Sequence, residues 1–312
     1  MLTEQQLEQQ EIFNSRRLAH PASSDIMEII NDLLMKSGKK SNIKSMAFWG
    51  NPGVGKSAIA ESVLKNNPPY DLTTDFGIQR VTPVLYCSFP SSISTKNVVK
   101  QLLNALGQRI KSGKSEFELL IDLVDALKSC GVKMIILDET NHLIDKAKAS
   151  AQQDVINFMK SLIDDTQLPI VLIGSADVGI FTESDAQLKR RIKHRRELKE
   201  FGYPTNEDSY LYQLLTPLFE VMQSDCGVSL AKNTNRLILS QRIYIATGGN
   251  LDAIRELLSD AIENAWRENS KVLLVEHFDT ALRFAPPATA LKGVNPFKAS
   301  PKELSDWAKR SR

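Results

Sequence analysis

The chain has 312 residues, enough for one large or two modest domains with a substantial core. Its 39 Lys and Arg nearly balance its 37 Asp and Glu, so the net charge of +2 does not by itself announce a nucleic-acid binder, and any such surface must be a local patch. Cys87, Cys130 and Cys226 are too few, too scattered and too far from His to suggest a disulfide framework or structural zinc, and no stretch approaches the ~20 apolar residues that span a bilayer, so the sequence reads as soluble and cytoplasmic.

Residues 1–24 are polar and end in the turn-like His20-Pro21-Ala22-Ser23-Ser24, which predicts an N-terminal arm with one short helix. Asp25 is placed to cap a helix whose Ile26, Ile29, Ile30, Leu33 and Leu34 recur at helical spacing. A buried strand over 43–49 then runs into Gly50-Asn51-Pro52-Gly53-Val54-Gly55-Lys56-Ser57, which fits the phosphate-loop pattern G-x-x-x-x-G-K-[ST] at every fixed position. The glycines let the backbone curl so that successive N–H groups point at phosphate oxygens, while Lys56 neutralises the β- and γ-phosphates and the Ser57 hydroxyl is a ligand for Mg²⁺. With Ala58, these residues form the expected nucleotide-binding set, and a helix over 57–65 adds its own anion-favouring end.

Residues 68–82 look irregular and long for a connection, as a functional loop would. A strand over 83–89 and helices over 94–109 and 117–128 follow, Gly131 closing the second. The run from Val132 to Leu137 is apolar and ends in Asp138-Glu139, the pattern of a buried parallel strand delivering two acids to the carboxyl edge of a sheet, where the phosphate loop also sits. There Asp138 can hold Mg²⁺ through water and Glu139 can orient or deprotonate the water that attacks the γ-phosphate. A helix over 152–165 and a strand over 168–175 come next, and Ser175 at the strand end either senses the γ-phosphate or simply turns the chain. Alternating strands and helices indicate an α/β fold with a doubly wound parallel sheet over 25–202.

Residues 187–199 hold the densest basic run, with Arg190, Arg191, Arg195 and Arg196. It is either a solvated face, a source of an arginine finger for a neighbouring subunit, or a contact for DNA phosphates. From Asn206 the pattern turns helical, over 208–223, 233–247, 250–268 and 275–284, which marks a small all-α domain over 203–285. Residues 286–312 form a basic tail, an extended arm with a terminal helix over 301–309 that is either solvated or bound to a partner.

This order of motifs resembles that of AAA+ ATPases, and within them the TnsC/TniB branch, ATPase regulators of bacterial DNA transposition. The branch likeness is carried by Leu18-Ala19-His20-Pro21, by Asp138-Glu139-Thr140-Asn141-His142-Leu143, by Ile173-Gly174-Ser175 and by Gln187-Leu188-Lys189-Arg190-Arg191, the last of which singles out Arg191 as the finger. The resemblance implies ATP and Mg²⁺ as cofactors, with Mg²⁺ held through Ser57 and Asp138, catalysis by Lys56, Glu139, Arg191 and Ser175, and self-assembly into a ring or helical filament on double-stranded DNA. It further implies partners in a transposase and a target-selection protein, and DNA contacts near a pore, for which Lys96, Lys100, Lys146 and Lys148 are the candidates. Where many AAA+ proteins carry a lid sensor arginine this chain has Asp252, with Arg255 one helical turn on as the substitute, and Ser88 stands where related ATPases restrain the catalytic glutamate. The alternatives are a helicase loader or initiator-like ATPase, and a nucleotide-gated scaffold with vestigial hydrolysis.

Overall fold

The computed structural model describes residues 2–16, 21–38, 44–75, 77–89, 94–144, 149–284 and 295–310. The elements are, in order, α1 (Glu4–Ser15), α2 (Pro21–Lys36), β1 (Ser45–Gly50), α3 (Lys56–Asn66), β2 (Tyr70–Thr74), β3 (Gly77–Val81), β4 (Val84–Ser88), α4 (Thr95–Ala105), α5 (Glu116–Ser129), β5 (Met134–Asp138), a 3₁₀ helix (Thr140–Leu143), α6 (Ala149–Thr166), β6 (Ile170–Gly174), α7 (Ala176–Glu183), α8 (Ala186–Arg191) and β7 (Ile192–Leu198). Then come α9 (Tyr210–Cys226), β8 (Ser229–Leu230), α10 (Arg236–Thr247), α11 (Leu251–Arg267), β9 (Val272–Leu273), α12 (Val275–Phe284) and α13 (Pro301–Arg310). They fall into two compact units, one of residues 22–52 and 56–198, the other of residues 1–21, 53–55 and 199–312. Among the described residues no helix is long and apolar enough to cross a membrane.

The first unit is built on a five-stranded sheet in the order β4-β5-β6-β1-β7, with every neighbouring pair parallel. Parallel strands must be covered on both faces, which is why β5 and β6 read as unbroken apolar runs and are buried throughout. Leu85, Ala47, Ile135, Leu137, Ile170 and Leu172 face one core with residues of α4, α5 and α6, and Met46, Phe48, Met134, Ile136, Val171 and Ile173 are buried on the other face. This is the doubly wound α/β sheet that the alternation predicts. Because β1 lies between β6 and β7, its carboxyl end falls where the chain order reverses, the place where such sheets bind ligands.

Three segments differ from expectation. α2 begins at Pro21, so Asp25 lies within the helix rather than capping it. Residues 68–82 are not irregular: β2 and β3 pair as an antiparallel hairpin, Tyr70 opposite Val81 and Thr74 opposite Gly77. The β-branched Thr73, Thr74, Ile78 and Val81 and the turn glycine, Gly77 at φ 125°, account for it. The basic run splits into α8 and the edge strand β7, a strand that charge had hidden: only Ile192 and Leu198 at its ends are buried, and the cations between them decorate an edge that stays unavailable for further pairing.

Among its described residues the second unit has no strand apart from the two-residue pair β8–β9. The predicted helices appear as α9 to α12, and Leu215, Leu258, Ile262 and Phe278 lie at the centre of their core. Sequence reading sets residues 1–24 and 286–312 apart from these helices, whereas α1 and residues 295–310 pack with them. Phe13 of α1 is 3% exposed in the same core, Arg16 pairs with Asp225 through two hydrogen bonds, and Gln10 and Asn14 both reach Ser259. Phe297 stacks on Phe278 with centroids 5.5 Å apart, and Leu304 and Ala308 of α13 pack with Ile245. The tail stretch 286–294 lies outside the described residues.

Candidate functional site

β1 delivers Gly50 to the sheet's carboxyl edge, and α3 begins at Lys56, so the phosphate-loop sequence occupies the strand-to-helix turn its chemistry requires. The Lys56 ammonium donates to the carbonyls of Gly50 (2.9 Å) and Asn51 (3.0 Å), which curls it over the loop. Ser57 and Ala58 lie in the first turn of α3, whose leading N–H groups have no partner within the helix and so favour an anion. The loop tip, residues 53–55, groups with the helical unit. Gly53 (φ 80°) and Gly55 (φ 97°) have left-handed backbones, and a Cβ on Gly53 would lie 2.5 Å from Asn250 Oδ1. The Asp252 N–H donates to the Gly53 carbonyl at 3.0 Å.

β5 ends at Asp138, 4% exposed and with both oxygens occupied: Tyr86 donates its hydroxyl to Oδ2 and the Glu139 N–H donates to Oδ1, each at 2.8 Å. Burial first, and then Asp138, push the pKa of this phenol up to about 12. Glu139 itself has φ 52° and ψ 37°, a left-handed conformation that costs a non-glycine residue roughly 1–3 kcal/mol. The turn that imposes it is held from the following residue, because the buried Thr140 hydroxyl donates to the Leu137 carbonyl at 2.8 Å. Sequence reading gives Thr140 no chemical part and misses Tyr86 altogether. The available signal for Tyr86 is its parity with Ser88 on β4, which puts both on the sheet face that carries Asp138.

Ser175 follows β6 and N-caps α7 with its backbone, while its hydroxyl approaches Asp177 Oδ2 at 3.4 Å. The strand end is packed against the 3₁₀ helix after Glu139: a Cβ on Gly174 would meet Asn141 Oδ1 and Val178 Cγ2, both at 2.7 Å. Asn141 Oδ1 is buried and has no hydrogen-bond partner among the described residues.

Of the four arginines, Arg191 is tied to Asp164 on α6 by Nε at 2.9 Å and Nη2 at 2.6 Å, which holds the Asp164 carboxyl below its ordinary range. Arg195 donates to the Lys189 and Ile192 carbonyls, and Arg196 pairs with Asp25. Arg190 is exposed and makes no hydrogen bond or ion pair among the described residues. Lys96 and Lys100 sit half-buried on α4, while Lys146 and Lys148, like residues 18–20 of the lead-in motif, lie outside the described residues. In the helical unit Arg255 Nη2 donates to the Arg16 carbonyl at 3.3 Å, and its Nε is buried without a hydrogen-bond partner among the described residues.

Comparison with known proteins adds three findings. Residues 9–202 match the sequence model of the family described as Bacterial TniB protein. No curated protein matches the chain. Among solved structures, the Aeropyrum pernix ORC2 protein, in its ADPNP–ADP complexes, is similar at TM-score 0.59 and 17% identity, over 88% of this chain and 70% of that one. The A. pernix ORC1 protein in complex with DNA is similar at TM-score 0.56 and 18% identity, over 85% and 65%, and the Thermotoga maritima RuvB Holliday junction branch migration motor at 0.50 and 13%, over 87% and 72%. At these identities the likeness shows the fold, that of P-loop AAA+ ATPases.

Proposed function

The chain belongs to the TniB family, and from that membership and the site above we propose that it is an ATP hydrolase that assembles on double-stranded DNA and links target selection to transposase recruitment. The observation that carries the hydrolytic part is the placement of Asp138 and Glu139 at the end of a wholly buried strand, in the same parallel sheet as the strand that leads into the phosphate loop. A hydroxyl on Ser57 and a buried carboxylate on Asp138 form an all-oxygen donor set of the kind that suits Mg²⁺. When bound there, Mg²⁺ supplies charge neutralisation on the phosphates.

In this reading the loop backbone and the α3 N-terminus bind the phosphates, and Lys56 exchanges its two carbonyl partners for phosphate oxygens. Glu139 orients the attacking water and takes its proton, from a backbone conformation held by its neighbours. A cation from the Arg190–Arg191 pair of an adjacent copy completes the charge stabilisation, and Ser175 reports the γ-phosphate. Lys96 and Lys100 contact DNA phosphates, and a second copy of this chain, a transposase and a target-selection protein are the partners. Arg255 enters the nucleotide response only by leaving the Arg16 carbonyl.

The test is steady-state ATP turnover beside nucleotide binding. Glu139→Gln should keep binding and lose turnover by roughly a hundredfold or more, and Lys56→Ala should lose both. Unchanged turnover in Glu139→Gln would sink the assignment.

A further inference from the structure

We infer that Tyr86 is a positioning residue for the metal-binding carboxylate: its hydroxyl holds one oxygen of Asp138 while the other oxygen holds the backbone N–H of Glu139, so that one phenol sets the orientation of both acids. The inference rests on the ATPase reading above, and concerns a residue that the phosphate-loop and carboxylate motifs do not include.

Tyr86 and Ser88 lie on the same face of β4, and the parallel register sets Tyr86 beside Ile136 and Ser88 beside Asp138. The Tyr86 hydroxyl therefore reaches along the sheet to Asp138 Oδ2 at 2.8 Å. A phenol has one proton to give. It is given to Asp138, because an ionised carboxylate only accepts. The carboxylate has little freedom left: it is almost fully buried, and the peptide N–H bound to Oδ1 belongs to the residue with the left-handed backbone. Without the phenolic hydroxyl, Oδ2 would lose a charge-assisted hydrogen bond in a buried setting and the carboxylate plane could rotate about its remaining contact with Glu139.

Tyr86→Phe removes the one oxygen and keeps the ring. The readout is the Mg²⁺ dependence of binding of the fluorescent non-hydrolysable analogue mant-AMPPNP, followed by turnover. The Mg²⁺ half-saturation should rise roughly tenfold, while affinity for the analogue in EDTA stays at the wild-type value and kcat falls more than KM changes. Tyr86→His, which keeps a ring but moves the donor away from the phenol's position, should shift the Mg²⁺ half-saturation in the same direction, and it serves as the decisive variant if Tyr86→Phe does not fold. An unaltered Mg²⁺ half-saturation in the folded variant, or equal losses with and without Mg²⁺, overturns the inference while leaving the ATPase reading standing. A wild-type protein that binds no nucleotide overturns both.

Discussion

Arg191 grips Asp164 through two parallel hydrogen bonds, Nε to Oδ1 and Nη2 to Oδ2, while its neighbour Arg190 projects into solvent. A trans-acting arginine has to leave its own subunit. Arg191 would have to break this fork first, whereas Arg190 is ready without rearrangement. Arg190→Ala should therefore lower turnover on the order of a thousandfold and shift stability by no more than about 0.5 kcal/mol. Arg191→Ala should cost about 0.5–1 kcal/mol of stability, the worth of a well-formed exposed pair. Parallel urea titrations and turnover assays separate the two, and equal turnover of Arg190→Ala and wild type would remove Arg190 from the reaction.

The same pair has a pH signature. Asp164 is held below its ordinary carboxylate range chiefly by the hydrogen bond from Arg191, so the folded state binds its proton less readily than the unfolded chain does. Its contribution is present above the unfolded value of about 4 and is lost as pH falls through the lower folded value. Stability measured from pH 7 downward should accordingly show the full Arg191→Ala penalty at pH 7 and a penalty that shrinks steadily once the pH falls below about 4.

Glu139 carries strain in exchange for position. Glycine adopts φ 52° freely, so Glu139→Gly should abolish turnover yet raise the denaturation midpoint, by about 1 kcal/mol in stability. A loss of stability instead would mean that the side chain, rather than the backbone alone, is held in place.

Phe13 anchors α1 to the helical core at 3% exposure. Phe13→Ala should destabilise that unit by about 3–5 kcal/mol and expose α1 to limited proteolysis before the remaining helices. Cleavage at the wild-type rate would mean that Arg16, Gln10 and Asn14 hold α1 without it.

What could be read from the sequence follows the range of the interactions involved. Gly50 to Ser57 and Asp138-Glu139 carry their chemistry in adjacent residues, and unbroken apolar runs such as Ile170 to Ile173 announce buried parallel strands wherever they pair. Tyr86 acquires its partner only through the register of β4 on β5, across 52 positions of sequence that no local pattern spans. β7 escaped because its backbone is satisfied by β1 while its side chains are charged, so pairing rather than hydropathy made it a strand. The hairpin at 70–81 was masked by exposure of both of its faces, and α1 docks by setting Phe13 into a core whose other buried residues all lie at position 201 or beyond.

Nucleotide-dependent assembly on DNA is read directly by electron microscopy of the protein with duplex DNA and a non-hydrolysable ATP analogue. Rings or spirals of protein around the duplex are expected with the analogue and absent with Lys56→Ala. Isolated monomers under the same conditions, with nucleotide bound, would contradict such assembly.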